Sequence, residues 1–372
     1  MIELRDDVLT PFERELDELG DAPPVRSAHA ALHLAMTEDY RDVAHAVDAA
    51  GTPEQILAHV DWETTRALRQ RVNGLRLGIA EAMDTAQRFE IGWNGAKRLI
   101  EITGALDLCV PFIAGASSDH RPRIGSKQDL ITAVAEQAAF IREAGGEPIL
   151  LPMPWLVQAS ADEDDYVEVY RGIVARCDGP VWIHWLGETF LPSVAGYFPG
   201  RSFERVMAID RAKIRGVKLS LLDAAREIRI RNALAQHGQV VVTGDDLHFA
   251  ELIAGDDAGF SHALLGILDA IARPASIALR WLAHGRRDRF LEILRPCEDL
   301  GRHVFETPTP HYKAGLAFLA WLQGLQPNRD LPNHLERARD ASHYRGCAVL
   351  ASRAGAIENA ALANERLSEL FG

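Results

Sequence analysis

The chain has 372 residues, of which 47% are hydrophobic and 25% charged, a composition typical of soluble globular proteins. Its formal net charge of −13 argues against nucleic acid or an anionic membrane as the main partner. The four cysteines form no zinc motif, the N-terminus is acidic, and no apolar stretch is long enough to span a membrane, so we expect a cytoplasmic protein with reduced thiols.

Short apolar runs with turn signals alternate with longer helical patterns along the chain. They predict eight strands, over residues 25–34, 75–81, 109–116, 148–153, 181–186, 214–220, 240–245 and 259–265. Helices are predicted over 126–144, before Gly145-Gly146, and over 164–177, before Asp178-Gly179-Pro180. No G-x-G-x-x-G or P-loop is present, so the pattern favours an α/β fold of the (β/α)8 TIM-barrel type over an open doubly wound sheet.

The pattern also divides the chain into three regions. Residues 1–22 are interpreted as an N-terminal extension and residues 23–273 as the barrel. From residue 274 onward the pattern is helical, with alanine-rich stretches at 314–323 and 340–371. Residues 274–372 are therefore predicted to form a C-terminal helical appendage.

Lys218 is the most informative residue, because it lies among aliphatic neighbours in the sixth predicted strand, 214–220. The chain has only five lysines among its 40 basic residues, so arginine provides most of the positive charge. Burial disfavours the ammonium form and lowers the pKa of a lysine, which gives a neutral amine able to attack a carbonyl and form a Schiff base. We therefore predict Lys218 to be catalytic.

Other polar residues lie at the predicted C-terminal ends of the strands, where barrel active sites form. They are Glu81, Asp84, Thr85, Gln87, Ser117, His184, Glu188, Ser220, Asp245 and Asp246. Structural roles remain open for several of them: His184 could be a core histidine and Glu81 could form an ion pair. One of Asp245 and Asp246 is expected to cap the helix that follows.

Several segments occur in the order of motifs from one known superfamily. They are Pro111–Gly115, Gly216–Lys218, Thr243–Asp246, Gly255 with Ala258–Ser261, and Phe305–Lys313. Together, over residues 75–335, the chain resembles the dihydrodipicolinate synthase and N-acetylneuraminate lyase superfamily of class I aldolases. The resemblance implies a TIM barrel, an imine-forming role for Lys218 and a homo-oligomer, either a dimer or a tetramer.

The departures from this superfamily are equally informative. Residues 83–87 replace the segment that holds the carboxylate of pyruvate, and Asp84 there would repel a second carboxylate unless it were protonated. His184 stands where the superfamily has a proton-relaying tyrosine, and histidine can perform that role near neutral pH. Met153-Pro154 replaces paired tyrosines, and Glu188 or Thr189 replaces a carboxylate-binding arginine. These changes favour a neutral, hydroxyl-rich substrate.

The main hypothesis is a class I lyase, an aldolase or a dehydratase, that acts on a keto sugar, a sugar acid or a similar small carbonyl compound without a cofactor. Lys218 would form the imine and His184 would transfer protons. Six residues are predicted to bind the substrate: Asp84, Thr85, Gln87, Glu188, Ser220 and Asp245.

Two alternatives remain open. One is a metal-dependent barrel isomerase, epimerase or class II lyase, with a divalent cation held by Glu81, Asp84, His184 and either Asp245 or His248. The other is a non-catalytic barrel that only binds sugar-like ligands. Chelator sensitivity would indicate the first, and ligand-induced stabilisation without turnover the second.

Overall fold

The computed structural model describes residues 3–372 and confirms the predicted (β/α)8 barrel. Eight parallel strands form one closed sheet in the order β1 to β8. The strands are β1 (Ala28–Ala31), β2 (Gly78–Glu81), β3 (Ile113–Ala116), β4 (Glu147–Leu150), β5 (Val181–Leu186), β6 (Ile214–Ser220), β7 (Val240–Thr243) and β8 (His262–Leu265).

The predicted bounds of β5 and β6 are confirmed, whereas the other six strands are shorter than predicted, with four residues each. The reason is visible after β1, where Leu32 and Leu34 are buried but lie beyond the ladder. An apolar run predicts which residues are buried, and buried residues continue beyond the last hydrogen bond between strands. The predicted strands were therefore too long.

Within residues 3–372, fifteen α-helices surround the barrel or follow it. They are α1 (Thr10–Leu19), α2 (Pro53–Leu57), α3 (Trp62–Gly74), α4 (Arg88–Gly104), α5 (Lys127–Glu143), α6 (Pro154–Gln158), α7 (Glu163–Arg176), α8 (Ser202–Met207), α9 (Ala224–Ala235), α10 (Phe249–Ala254), α11 (Ala272–Ala283), α12 (Arg287–Val304), α13 (Tyr312–Leu322), α14 (Ala341–Arg353) and α15 (Ala360–Phe371). Helices α5 and α7 match the predictions to within one residue. None of the helices within residues 3–372 combines the length and apolar composition needed to cross a membrane.

Six short 3-10 helices complete the described structure. They are Glu38–Asp42, Asp84–Ala86, Pro192–Val194, Ile267–Asp269, Thr309–His311 and Pro332–Ala338. The segment Asp84–Ala86 follows β2, and the segment Pro332–Ala338 packs against α13 and α4. Both bear on the sites described below.

The strand register determines which side chains enter the barrel. Trp182 belongs to the apolar cluster that fills the interior, with Ala31, Ala80, Ile113, Ile149, Val242 and Leu264. Side chains alternate along a strand, so His184 faces the same way as Trp182. Lys218 pairs in register with His184 on one side and Val242 on the other, and Ser220 lies two residues further along β6. These three polar residues therefore face the interior near its C-terminal end.

The C-terminal region is helical, as the sequence predicts. The stretch 340–371 forms two helices, α14 and α15, and Gly355 between them has a φ of 67°, which ends the first helix. Helix α12 packs on α11 and α14, and α1 packs on α11. The region boundaries at residues 22 and 273 stay predictions; the second falls in the first turn of α11.

Candidate active site

A small pocket opens at the C-terminal end of the barrel around Lys218. Its volume is about 70 Å³. Its polar lining comes from Asp84, Thr85, His184, Lys218, Ser220, Asp246 and Tyr312, and its apolar lining from Met83, Phe89, Leu151, Pro152, Pro154, Leu186, Phe190, Leu191 and Phe305. A cavity of this size with one polar side suits a small molecule, and the strand ends provide most of its functional groups.

Lys218 is a half-buried residue of β6 whose amine makes no hydrogen bond or ion pair with residues 3–372. Burial lowers the pKa of this amine, and the carboxylates of Asp246 and Asp84 oppose the shift from a distance. The absence of a side chain at Gly244 leaves room for the Lys218 side chain, because a Cβ at position 244 would lie only 2.7 Å from the Lys218 Cε. The predicted position of Lys218 in the site is therefore observed; its catalytic role remains a prediction.

His184 lies beside Lys218 on the neighbouring strand and is buried. Its Nε2 is 3.2 Å from the Ser220 hydroxyl, while its Nδ1 has no hydrogen-bond partner within residues 3–372. Burial, reinforced by the positive charge of Lys218, holds the pKa of His184 well below its usual value. The ring is therefore neutral near pH 7, and Nδ1 is its buried, unpartnered nitrogen.

The structure exchanges the roles expected of two adjacent carboxylates. Asp245 was predicted to bind substrate, but it accepts hydrogen bonds from the backbone N–H groups of Leu247 and His248 and pairs with the His248 ring. Asp246 lines the pocket instead and accepts a hydrogen bond of 2.8 Å from the Ile267 N–H. Burial raises the pKa of Asp246. Asp246 is thus the carboxylate that lines the pocket with Lys218, and Asp245 stabilises the turn before α10. The expected helix cap is not observed, because the N-cap residue of α10 is His248 and no side chain caps it.

A polar network from the C-terminal region reaches the pocket mouth. Lys313 of α13 pairs with Asp84 at 2.9 Å, and the Tyr312 hydroxyl donates to Asp84 at 3.0 Å. The same hydroxyl lies 2.8 Å from the Thr85 hydroxyl. Because Lys313 compensates the charge of Asp84, the predicted repulsion of a substrate carboxylate by Asp84 does not follow. Local sequence could not predict this pairing, because Lys313 lies 229 residues from Asp84.

A buried arginine fixes the loop that carries Asp84 and Thr85. Arg88 donates to the carbonyl oxygens of Ala82 and Gly115, at 3.0 and 2.8 Å, and forms a bidentate ion pair with Asp119. Ala82 has a φ of 51°, which the hydrogen bond to its carbonyl helps to hold. The chain therefore leaves β2 along a defined path that points Thr85 toward Tyr312.

Two further predicted substrate-binding residues lie outside the pocket. Gln87 is buried and donates to the Pro332 carbonyl oxygen at 3.1 Å. Glu188 is exposed, on the loop after β5. Of the six predicted substrate-binding residues, only Asp84, Thr85 and Ser220 line the pocket.

The predicted metal-ligand set is not assembled. Glu81 points away from the interior, where its two oxygens accept from Arg69 at 2.9 and 3.0 Å and one of them also accepts from Thr103. Asp245 and His248 pair with each other outside the pocket, apart from His184. Groups of possible metal ligands within residues 3–372 occur elsewhere, in the C-terminal region. The alternation of side chains on β2 explains the outward direction of Glu81.

Two polar groups of the pocket were not among the predicted site residues: Asp246, which was placed at a strand end but given no substrate-binding role, and Tyr312. The signal for Tyr312 was present in the Phe305–Lys313 segment, which carries part of the superfamily resemblance. Its contact with Thr85 spans 227 residues of sequence, so local pattern could not place it. The apolar wall formed by Phe190, Leu191 and Phe305 was missed for the same reason.

The fold places the chain with a known group of barrels. A putative dihydrodipicolinate synthetase from Pseudomonas aeruginosa is similar with a TM-score of 0.65 and 15% identity, over 89% of this chain and 100% of that one. N-acetylneuraminate lyase from Fusobacterium nucleatum, solved with pyruvate, gives 0.63 and 16%, over 88% and 96%. Dihydrodipicolinate synthase from Thermotoga maritima gives 0.65 and 13%, over 89% and 99%. The predicted resemblance to this superfamily is confirmed at the level of fold.

The sequence itself defines a narrower group. The profile of a family described as protein of unknown function, DUF993, matches residues 16–372, so the chain belongs to that family. No curated protein sequence matches the chain. The chemistry of the site must therefore be argued from its own residues.

Proposed function

We propose that this protein is a class I lyase that forms a Schiff base with a small carbonyl substrate through Lys218. The observation that carries the proposal is an amine without a hydrogen-bond partner in residues 3–372, inside a pocket that lowers its pKa. An amine of this kind is a nucleophile near neutral pH. The barrel fold shared with lyases of known structure agrees with the proposal.

The first half of the reaction would form the imine. The neutral Lys218 amine attacks the carbonyl carbon, the carbonyl electron pair moves to oxygen, and loss of that oxygen as water leaves a C=N bond. His184 is a neutral ring that lies beside Lys218 and lines the pocket, so it can carry a proton between the attacking nitrogen and the departing oxygen. The Asp246 carboxylate lies where it can stabilise the protonated imine.

The second half would break a bond of the substrate. A base removes a proton from a hydroxyl next to the scissile C–C bond, and the electron pair of that bond moves to the imine as an enamine. Dehydration differs in that a C–H proton leaves first and a hydroxyl follows. The hydroxyl pair of Thr85 and Tyr312 is the second proton carrier within the pocket, and burial keeps the pKa of Tyr312 well above its usual value, so it is protonated. Reprotonation of the enamine and hydrolysis return free Lys218.

The lining favours a substrate that is compact and only partly polar. The sequence predicted a hydroxyl-rich compound, and this substrate class stays a prediction. The apolar wall, with Phe190, Leu191 and Phe305, offers no hydrogen-bonding groups to the far end of an extended polyol. A short 2-oxo acid or hydroxyketone, with its polar groups near the carbonyl, fits a pocket with one polar and one apolar side better than an extended polyol does.

Borohydride trapping tests the proposal. The full chain would be incubated with borohydride and pyruvate, dihydroxyacetone or a short keto sugar acid, and its intact mass measured. We expect a covalent adduct that peptide mapping places on Lys218 and that Lys218→Ala abolishes. Lys127→Arg is the matched control, because Lys127 is a surface lysine paired with Asp165 and should leave the adduct unchanged.

Other outcomes would point to the alternatives. Turnover that a chelator abolishes, without trapping, would contradict an imine and favour a metal-dependent enzyme. Stabilisation by a carbonyl compound without turnover or adduct would indicate a binding protein.

We also propose a cytoplasmic homo-oligomer, a dimer or tetramer, because of the superfamily resemblance. Light scattering of the full chain tests the assembly.

A further inference from the structure

Three buried side chains of possible metal ligands meet in the C-terminal region, away from the Lys218 pocket. Asp330, His334 and Glu336 each offer one ligand atom, and these atoms lie within 4.8 Å of one another. Their residues are 7%, 1% and 4% exposed. None of the three lines the pocket. Two carboxylates this deeply buried call for positive partners.

The hydrogen bonds of His334 leave one of its nitrogens unexplained. Its Nε2 lies 3.0 Å from the Val43 carbonyl oxygen, which can only accept, so Nε2 carries a proton. A neutral ring then has a lone pair on Nδ1. The nearest partner of Nδ1 is Glu336 Oε1 at 3.0 Å, which also presents lone pairs. A proton or a cation must therefore lie between these two atoms.

Asp330 decides between a proton and a cation. Its Oδ2 is buried and has no hydrogen-bond partner within residues 3–372. A proton shared by His334 and Glu336 would satisfy those two groups but leave Asp330 unpaired, at a large desolvation cost. A metal ion would satisfy all three. The nearby basic residue, Arg337, lies 3.4 Å from Glu336 Oε1 and is mostly exposed, so it does not compensate the charge of the Asp330 carboxylate.

The surrounding backbone holds the cluster in a defined shape. Asn333 and His334 both have left-handed φ values, 58° and 50°. The Tyr40 hydroxyl accepts from the Asn333 N–H at 2.8 Å, and the Tyr40 ring stacks on His334 with centroids 4.7 Å apart. Such strain persists only where neighbouring contacts maintain it. The ring of His334 is therefore oriented before any ligand arrives.

We propose that Asp330, His334 and Glu336 bind one divalent transition-metal ion of the Zn²⁺ or Mn²⁺ type. One imidazole and two carboxylates suit these ions, whereas Mg²⁺ and Ca²⁺ prefer oxygen ligands alone. The Val43 carbonyl acts as the outer partner that orients His334. The ion would cross-link residues within the segment 330–336, and the hydrogen bond from His334 to Val43 joins this segment to the loop after β1. The same segment receives the hydrogen bond of Gln87, next to the pocket loop.

Metal analysis and thermal unfolding of the full chain test this site. The protein would be treated with a chelator, dialysed, and titrated with Zn²⁺, Mn²⁺ or Mg²⁺. We expect about one equivalent of Zn²⁺ or Mn²⁺ and a rise of about 5 °C in the unfolding midpoint at a metal concentration near 100 times Kd, with no rise for Mg²⁺.

Asp330→Asn is the informative variant, because the unpaired Oδ2 gives up no protein hydrogen bond when it is replaced. The apo variant should unfold no earlier than the apo wild type, but its metal affinity should fall by more than the about tenfold that loss of an outer-shell partner costs. Asp269→Asn is the matched control: it alters another buried histidine–carboxylate pair, His33–Asp269, and should keep the metal-dependent shift.

Three results would overturn the site. One is a wild-type chain that neither binds nor is stabilised by Zn²⁺ or Mn²⁺. Another is metal binding that Asp330→Asn and Glu336→Gln leave unchanged, since the ion would then lie elsewhere, for example at His303, His343 and Cys347. The third is an Asp330→Asn chain whose unfolding midpoint equals that of the wild type at every metal concentration.

Discussion

Two lysines meet the same pocket region from different parts of the chain, and their surroundings differ. Lys313 comes from the C-terminal helix α13 and is 4% exposed, yet it forms an ion pair with Asp84 and donates to the Pro310 carbonyl. Lys218 comes from the barrel strand β6 and has no such partner within residues 3–372. Burial without a partner lowers the pKa of the Lys218 amine, so this amine gives up its proton more easily than an exposed lysine does.

This difference indicates which functional groups the barrel and the C-terminal region each contribute to the proposed reaction. The barrel provides the proposed nucleophile, and the C-terminal region provides Lys313 and Tyr312, which set the charge and hydroxyl groups at the mouth. If this comparison is correct, changes around Lys218 should affect imine formation itself. Changes around Lys313 should affect which substrates bind.

The largest effect is expected from filling the space beside Lys218. In Gly244→Ala the new Cβ would lie 2.2 Å from the Ser220 hydroxyl oxygen, 2.7 Å from the Lys218 Cε and 2.9 Å from the Leu219 carbonyl oxygen, so the side chains of Ser220 and Lys218 must both move. A displacement of this size should lower the rate of imine trapping by on the order of 100-fold. Trapping is measured by intact mass at fixed times.

The control for this change is Gly74→Ala, because an added Cβ there meets no atom within 4 Å. It should trap at the wild-type rate. Circular dichroism of both variants separates a moved lysine from a lost fold. If a folded Gly244→Ala chain formed the trapped adduct at the wild-type rate, the absence of a side chain at position 244 would not be needed for the reactivity of Lys218.

A smaller, more selective effect is expected from Lys313→Met. The change leaves Asp84 without its cation, so a substrate carboxylate near the mouth would meet uncompensated negative charge. KM for a 2-oxo acid should rise by roughly tenfold, while KM for a neutral hydroxyketone should change little, and adducts should still form on Lys218. Steady-state kinetics with the two substrate types measures this.

The double variant Asp84→Asn/Lys313→Met serves as the control, because it removes both charges together. It should recover most of the lost affinity for the 2-oxo acid. Equal effects of Lys313→Met on both substrate types would contradict a role in charge compensation and assign Lys313 to folding alone.

The sequence predicted the barrel and placed Lys218 and His184 because both depend on local pattern. Strand alternation brings these two side chains to one face, and alternation can be read from the chain. Alternation also accounts for the outward direction of Glu81, but its ion pair with Arg69 in a neighbouring helix could not be read from local pattern. The exchange of Asp245 and Asp246 depends on one peptide turn after β7. Tyr312 and the pairing of Asp84 required contacts over more than 200 residues.

The smallest predicted effect is a shift in pH dependence and concerns Asp246. Its negative charge raises the pKa of Lys218, against the larger lowering by burial. In Asp246→Asn the amide oxygen can still accept from the Ile267 N–H, but the charge is lost. The pKa of Lys218 should fall further, so more amine is neutral at a given pH. The pH at which Lys218 loses reactivity through protonation should therefore be lower in the variant than in the wild type.

Carbamylation by cyanate, followed by peptide mass analysis across the neutral range, measures the neutral amine directly. Lys127 is the standard within the same digest, since hydrogen bonds to Asp165 and Glu168 raise its pKa and its reaction should stay slow in both proteins. A higher pH for this loss in the variant would mean that Asp246 takes the proton of Lys218 rather than stabilising it. The contrast between an unpaired and a paired lysine would then no longer explain the reactivity of this pocket.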